Sequence, residues 1–121
     1  LKVSAKSEKE LFKEALAGMA AILKEKPEGE EKISKEIEVE SPDLASLLVD
    51  FLNEVLYNAY SEKAIFTESE FEFFAETKLK AKISGYKIKE GFDEDIKAAT
   101  YHEAEIKKEN EDFKVTLIFD I

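Results

Sequence analysis

The chain of 121 residues has no cysteine, no arginine, no glutamine and no tryptophan, and it contains only one histidine, two prolines and four glycines. Each absence narrows the chemistry. Without cysteine there is no disulfide framework, no thiolate nucleophile and no zinc–cysteine site. Without arginine all 18 basic residues are lysine, and the rigid fork that grips phosphate and carboxylate in two prongs is missing. Those 18 lysines face 28 acidic residues, for a net charge of −10. Phosphate neutralisation dominates nucleic-acid affinity, so no direct nucleic-acid binding is expected. An acidic surface instead suits a basic partner, a metal ion or solubility. The four glycines are scattered, and none opens a phosphate-cradling loop. No serine stands in a Gly-x-Ser-x-Gly elbow. No apolar run reaches the ~20 residues needed to span a bilayer, and no charged-then-apolar leader is seen. The expected location is the cytoplasm, with no membrane association.

Hydrophobic residues make up 44% of the chain and charged ones 38%, as in a folded domain rather than a disordered tail. Its length fits one domain over residues 1–121. Leu1, Val3 and Ala5 alternate with Lys2 and Ser4 as in a strand already under way. Ser7-Glu8-Lys9-Glu10 is a capping box. Leu11, Phe12, Ala15, Leu16, Met19, Ala20 and Leu23 then line one helical face, which Pro27 and Gly29 are expected to end. Ile33, Ile37 and Val39 predict a half-buried strand from Lys32 to Glu40. Ser41-Pro42-Asp43 reads as a helix start with serine at the cap. Leu44, Leu47, Leu48, Phe51, Leu52, Val55, Leu56 and Tyr60 follow as the cleanest 3.6-residue stripe in the chain.

The second half reads as β. Alternation in Glu70–Phe73 and in Leu79–Ile83 predicts a hairpin about Glu76-Thr77. Gly85 and Gly91 bracket a polar stretch, a strand is expected from Thr100 to Lys107, and a turn at residues 109–112 leads into the alternation of Phe113, Val115, Leu117, Phe119 and Ile121. Strand, helix, strand, helix and then about four strands define an α+β fold, with two helices on one face of a mixed or antiparallel sheet.

Candidate chemistry is sparse. His102 follows Lys97-Ala98-Ala99-Thr100-Tyr101 and, in strand phase, shares a face with Ala104 and Ile106. One imidazole without cysteine cannot hold zinc unaided. An acid–base role is chemically open to it, beside the plainer reading of a hydrogen-bonded structural histidine. Asp120 and the terminal carboxylate of Ile121 bring two anionic groups close together. Hard oxygens of this kind suit calcium, magnesium or manganese; the plainer reading is a solvated chain end. Asp93-Glu94-Asp95 looks like the opening of a calcium loop, but the glycine and distal glutamate that such a loop requires are missing. It reads as a charged surface loop.

Three runs together resemble the archease family: Leu48-Val49-Asp50-Phe51-Leu52-Asn53-Glu54-Val55-Leu56-Tyr57, Lys97-Ala98-Ala99-Thr100-Tyr101-His102, and Val115-Thr116-Leu117-Ile118-Phe119-Asp120-Ile121. The second run, followed some twenty residues later by an Asp-Ile end, carries most of the likeness. The resemblance implies a non-enzymatic activator of the tRNA-splicing RNA ligase RtcB, which promotes nucleotidylation of the ligase's histidine and restores it between turnovers. It implies a divalent metal ion at the acidic C-terminal end, with Asp120 and Ile121 as candidate ligands. It also implies an activating role for Lys97, and places His102 in the same motif. Archeases begin with a strand carrying His-Thr-Ala-Asp, so a single archease-like domain lacking that N-terminal strand segment is expected. Two rivals remain: a general acidic chaperone or interaction module, and a metal-dependent hydrolase, which needs more convergent polar groups than Lys97, His102 and Asp120.

Overall fold

A computed structural model of the chain describes residues 1–25 and 31–121. Strand β1 (Lys2–Ala5) leads into helix α1 (Glu8–Leu23). The Ser7 hydroxyl accepts from the Glu10 amide at 3.1 Å, as the capping box requires. The seven apolar residues expected on one face of α1 are all buried. The helix closes at Leu23, where the Leu23 carbonyl accepts from the Asp93 amide at 2.8 Å. One carbonyl left unpaired at the helix end is thereby satisfied from a distant loop. Pro27 and Gly29 lie outside the described residues.

Strand β2 (Lys32–Glu40) is followed by helix α2 (Leu44–Glu62), strand β3 (Ala64–Phe74) and strand β4 (Lys78–Lys87). The start of α2 differs from expectation. Its cap is Asp43, whose carboxylate accepts from the Ser46 amide at 2.8 Å. This bond holds the Asp43 carboxyl below its usual pKa. Ser41 is buried instead, and its hydroxyl donates to Asp50. Two residues further along, aspartate simply has the better geometry for the first free amides.

Strands β2, β4 and β3 form an antiparallel sheet in that order. The hairpin closes through Ala75, whose amide donates to the Lys78 carbonyl at 2.8 Å, so Glu76 and Thr77 are its tip as expected. Alternation sorts the two faces. Leu79, Ala81 and Ile83 of β4 are buried, while Lys78, Lys80 and Lys82 lie outward opposite Glu40, Glu38 and Glu36. Both helices pack on this sheet. Phe12 of α1, Phe51 of α2, and Phe71 and Phe74 of β3 gather with ring centroids 4.9–6.4 Å apart. Phe12 and Phe51, fully taken from water, each contribute about 1.5–3 kcal/mol. Gly85 lies inside β4 rather than in a loop, and a Cβ there would stand 1.7 Å from the Ile65 carbonyl oxygen. Only glycine allows that backbone approach.

The remaining strands are short: β5 (Ala98–Ala99), β6 (Lys107–Glu109), β7 (Asp112–Thr116) and β8 (Phe119–Asp120). Strands β1, β7 and β6 form a second antiparallel sheet, and β5 pairs with β8 alone. Asn110 and Glu111 turn the β6–β7 hairpin with φ of 50° and 69°, the left-handed pair that matches strand twist in a two-residue loop. The strand expected from Thr100 to Lys107 is absent: residues 101–103 form a bend and turn, with Glu103 at φ 59°. Apolar alternation there was too weak to outcompete side-chain bonds made by Thr100 and Tyr101. The architecture is α+β, two helices with antiparallel sheets. No helix is long and apolar enough to cross a membrane among the described residues.

Candidate functional site

Helix α2 carries a polar line beside its apolar stripe. Asp50, Asn53 and Tyr60 fall at spacings of three and seven residues, which keeps them on one side of the helix. Each holds a different point of the segment that contains Lys97. The Tyr60 hydroxyl donates to the Ile96 carbonyl at 2.6 Å. Asn53 accepts from the Ala99 amide at 2.7 Å and donates to the Ala99 carbonyl at 3.0 Å. Asp50 accepts from the Tyr101 hydroxyl and, at its other oxygen, from Ser41. The segment therefore runs antiparallel to α2 and is fixed at residues 96, 99 and 101.

The approach to this segment is anchored as well. The Phe92 ring meets Tyr60 edge-on at 5.0 Å. Asp93 accepts from the Glu25 amide at 2.8 Å, and Ile96 is fully buried. Asp93, Glu94 and Asp95 are exposed, as the reading of a charged surface loop expects, and Asp93 fastens that loop to the end of α1. Burial, and secondarily the charge of Asp95, raise the Tyr60 pKa. The hydrogen bond to Asp50 is the main cause of a raised Tyr101 pKa, with burial and the carboxylate charge adding to it. Both phenols are held as neutral donors.

On its other side the segment meets β8. The Lys97 amide donates to the Asp120 carbonyl at 2.7 Å, and the Thr100 amide and hydroxyl both reach the Ile118 carbonyl, at 2.9 and 3.0 Å. Lys97, Asp120 and Ile121 consequently share one end of a two-stranded ribbon, all three exposed. Ile121, just beyond β8, is 63% exposed. His102 does not join them. It is exposed in the turn beyond the opposite end of the ribbon, so the strand phase with Ala104 and Ile106 does not exist. Lys97 presents an exposed ammonium at the same ribbon end as the exposed Asp120, an arrangement able to meet phosphate oxygens or a cation.

Among the described residues no three His, Asp or Glu side chains gather to hold a metal ion. Asp120 and Ile121 supply two oxygen groups where calcium takes ~6–8 ligands and magnesium six. Among the described residues the ribbon end does not complete a metal site. A groove of about 670 Å³ on the outer face of β1, β7 and β6, lined by Lys2, Lys107, Lys114, Glu103 and Glu105 among others, includes none of the three candidates at the ribbon end. Asp50, Asn53 and Tyr60 were not singled out from the sequence. Their residue types and spacing alone do not set them apart from the other polar residues of α2, such as Glu54 and Asn58.

Comparison with known proteins places the chain in a family. The model of the Archease protein family (MTH1598/TM1083) matches residues 1–121. A protein archease of Methanosarcina acetivorans is 32% identical over 120 residues, covering 93% of this chain and 82% of the relative. One from Pyrococcus abyssi is 40% identical over 85 residues, covering 65% of this chain and 60% of the relative. Among solved structures, an archease and possible chaperone from Thermotoga maritima superposes with a TM-score of 0.72 at 19% identity, over 100% of this chain and 88% of its own. The solution structure of Methanobacterium thermoautotrophicum protein 1598 gives a TM-score of 0.68 at 27% identity, over 99% and 89%.

Proposed function

Because the chain belongs to the archease family, we propose that it is a cytoplasmic accessory factor of RNA ligation, acting on an RtcB-type ligase rather than on RNA. It promotes nucleotidylation of the ligase's histidine and resets the ligase between turnovers. The single observation that supports this reading most is the bond from the Lys97 amide to the Asp120 carbonyl at 2.7 Å, which joins the activating lysine to the acidic chain end. An exposed ammonium held at a rigid ribbon end is suited to meet charge that develops on a transferring phosphoryl group. Asp120 and Ile121 would hold a divalent cation (calcium, magnesium or manganese) only in part, with the ligase or its nucleotide supplying the remaining oxygen donors. His102, at the far end of the ribbon, is the second residue of the motif that this reading assigns to activation.

The test needs purified ligase, nucleoside triphosphate and no RNA. Covalent nucleotidyl-ligase should form faster when the chain is added, and Lys97→Ala should abolish the acceleration. Equal rates with and without the chain would overturn the reading. The net charge of −10 favours a second reading, a general acidic chaperone. That function predicts suppressed aggregation of unrelated basic proteins, undiminished in Lys97→Ala.

A further inference from the structure

Strand β5 is two residues long, and only one of its sides meets another strand. A ladder that short has little stability of its own, since isolated two-stranded pairings are marginal even at greater length. What completes it is a side chain. On the side of β5 away from β8, Ala99 turns its amide and carbonyl to Asn53, at 2.7 and 3.0 Å. One carboxamide answers both groups, donor to acceptor and acceptor to donor, just as the backbone of a third strand would. A carboxylate has acceptors only, and neither an aliphatic side chain nor a methyl group has either. Asn53 is itself carried by a helix anchored in the core: its neighbours Phe51, Leu52, Val55 and Leu56 are 0–3% exposed.

We propose that Asn53 is a positioning residue: by standing in for a third strand against Ala99, it sets where Lys97 is presented relative to Asp120. Lys97 lies between the Ile96 carbonyl held by Tyr60 and the Ala99 backbone held by Asn53, and its own amide is taken by Asp120. Its backbone is therefore fixed from the helix on one side and from β8 on the other. Removing the central clamp frees β5 to shift along or away from β8, while the apolar core beneath α2 stays as it is. Asn53 touches neither nucleotide nor ligase in this account. The inference rests on the proposed role in ligase nucleotidylation and assigns the geometry on which that role depends.

The experiment compares the unaltered chain with Asn53→Leu, which keeps side-chain size and removes both bonds, and with Asn53→Asp, which keeps the acceptor for the Ala99 amide. Two readouts are taken. Amide hydrogen exchange should speed up at Lys97, Ala99 and Thr100 in Asn53→Leu, with β2–β4–β3 unchanged. In the ligase assay without RNA, the maximal nucleotidylation rate at saturating activator should fall about ten- to a hundredfold, the scale set by misplacing a reacting group by ~1 Å. The activator concentration giving half that maximum should stay within about threefold, because the exposed docking groups remain. Asn53→Asp should fall between the two in both readouts. A full maximal rate from Asn53→Leu, or unchanged exchange at Ala99, overturns the positioning role. An unaltered chain that fails to accelerate the ligase overturns the function it serves, a result read from the control lane alone.

Discussion

The two halves of this molecule are held together by different means. From α1 to β4 the structure rests on alternation and on the 3.6-residue period: apolar faces of two helices close on one sheet face, and four phenylalanines meet at the centre. From Ile88 onward the strands shrink to two, three, five and two residues, and side chains bonded to backbone take over from long ladders. The first half has many redundant contacts. The second depends on a few named bonds, each of which fixes one residue, and it is the half that presents Lys97 and Asp120.

The largest expected effect tests the first half. Phe12→Ala should lower global stability by about 3–5 kcal/mol, read as a shift in the urea midpoint with all amides of the β2–β4–β3 sheet affected together. If the cost were below about 1 kcal/mol, the phenylalanine cluster would not be the centre of the core. Next comes Asp50→Ala, which strips the Ser41 and Tyr101 hydroxyls of their shared acceptor. Leaving the buried Ser41 hydroxyl unpaired should cost about 1–3 kcal/mol, and the 100–103 segment should exchange faster than any part of β4. Equal loosening of both regions would blur the contrast drawn here. Ser7→Ala removes the α1 cap and should cost about 1 kcal/mol in thermal or urea denaturation.

The smallest effect is a titration. Tyr101 has a pKa above the ordinary tyrosine value, so its bond to Asp50 contributes fully below about pH 10. That contribution is lost as pH rises through the raised value. Ultraviolet difference absorbance should show two phenols, Tyr60 and Tyr101, ionising late, and Asp50→Ala should bring one of them, Tyr101, back toward the ordinary value. A Tyr101 titration insensitive to Asp50→Ala would remove that tether from the account.

The same contrast explains what could be read from the sequence. Both helices, the hairpin at Glu76-Thr77 and the α+β class follow from periodic burial, because long elements repeat their pattern often enough to be recognised. The cap of α2 was misread by two residues because Ser41 and Asp43 are both good caps, and only the tertiary bond from Ser41 to Asp50 decides between them. The interval from Thr100 to Lys107 looked like a strand because Tyr and Thr favour strands. In the fold those same residues make the bonds to Asp50 and Ile118 that end β5. At the candidate site, Lys97, Asp120 and Ile121 were legible as residues and do come together. The helix line that holds them was not, since an asparagine in an amphipathic helix carries no mark of the backbone it will meet.

The most direct test of the central claim, that the ribbon end bearing Lys97 serves another protein's catalysis, is a single-turnover measurement of nucleotidyl transfer to the purified RtcB-type ligase, with equimolar chain carrying either Lys97 or Lys97→Ala. The account predicts rapid covalent labelling with Lys97 and a rate indistinguishable from ligase alone with Lys97→Ala, both chains having the same urea midpoint. Identical acceleration by the two chains would contradict it.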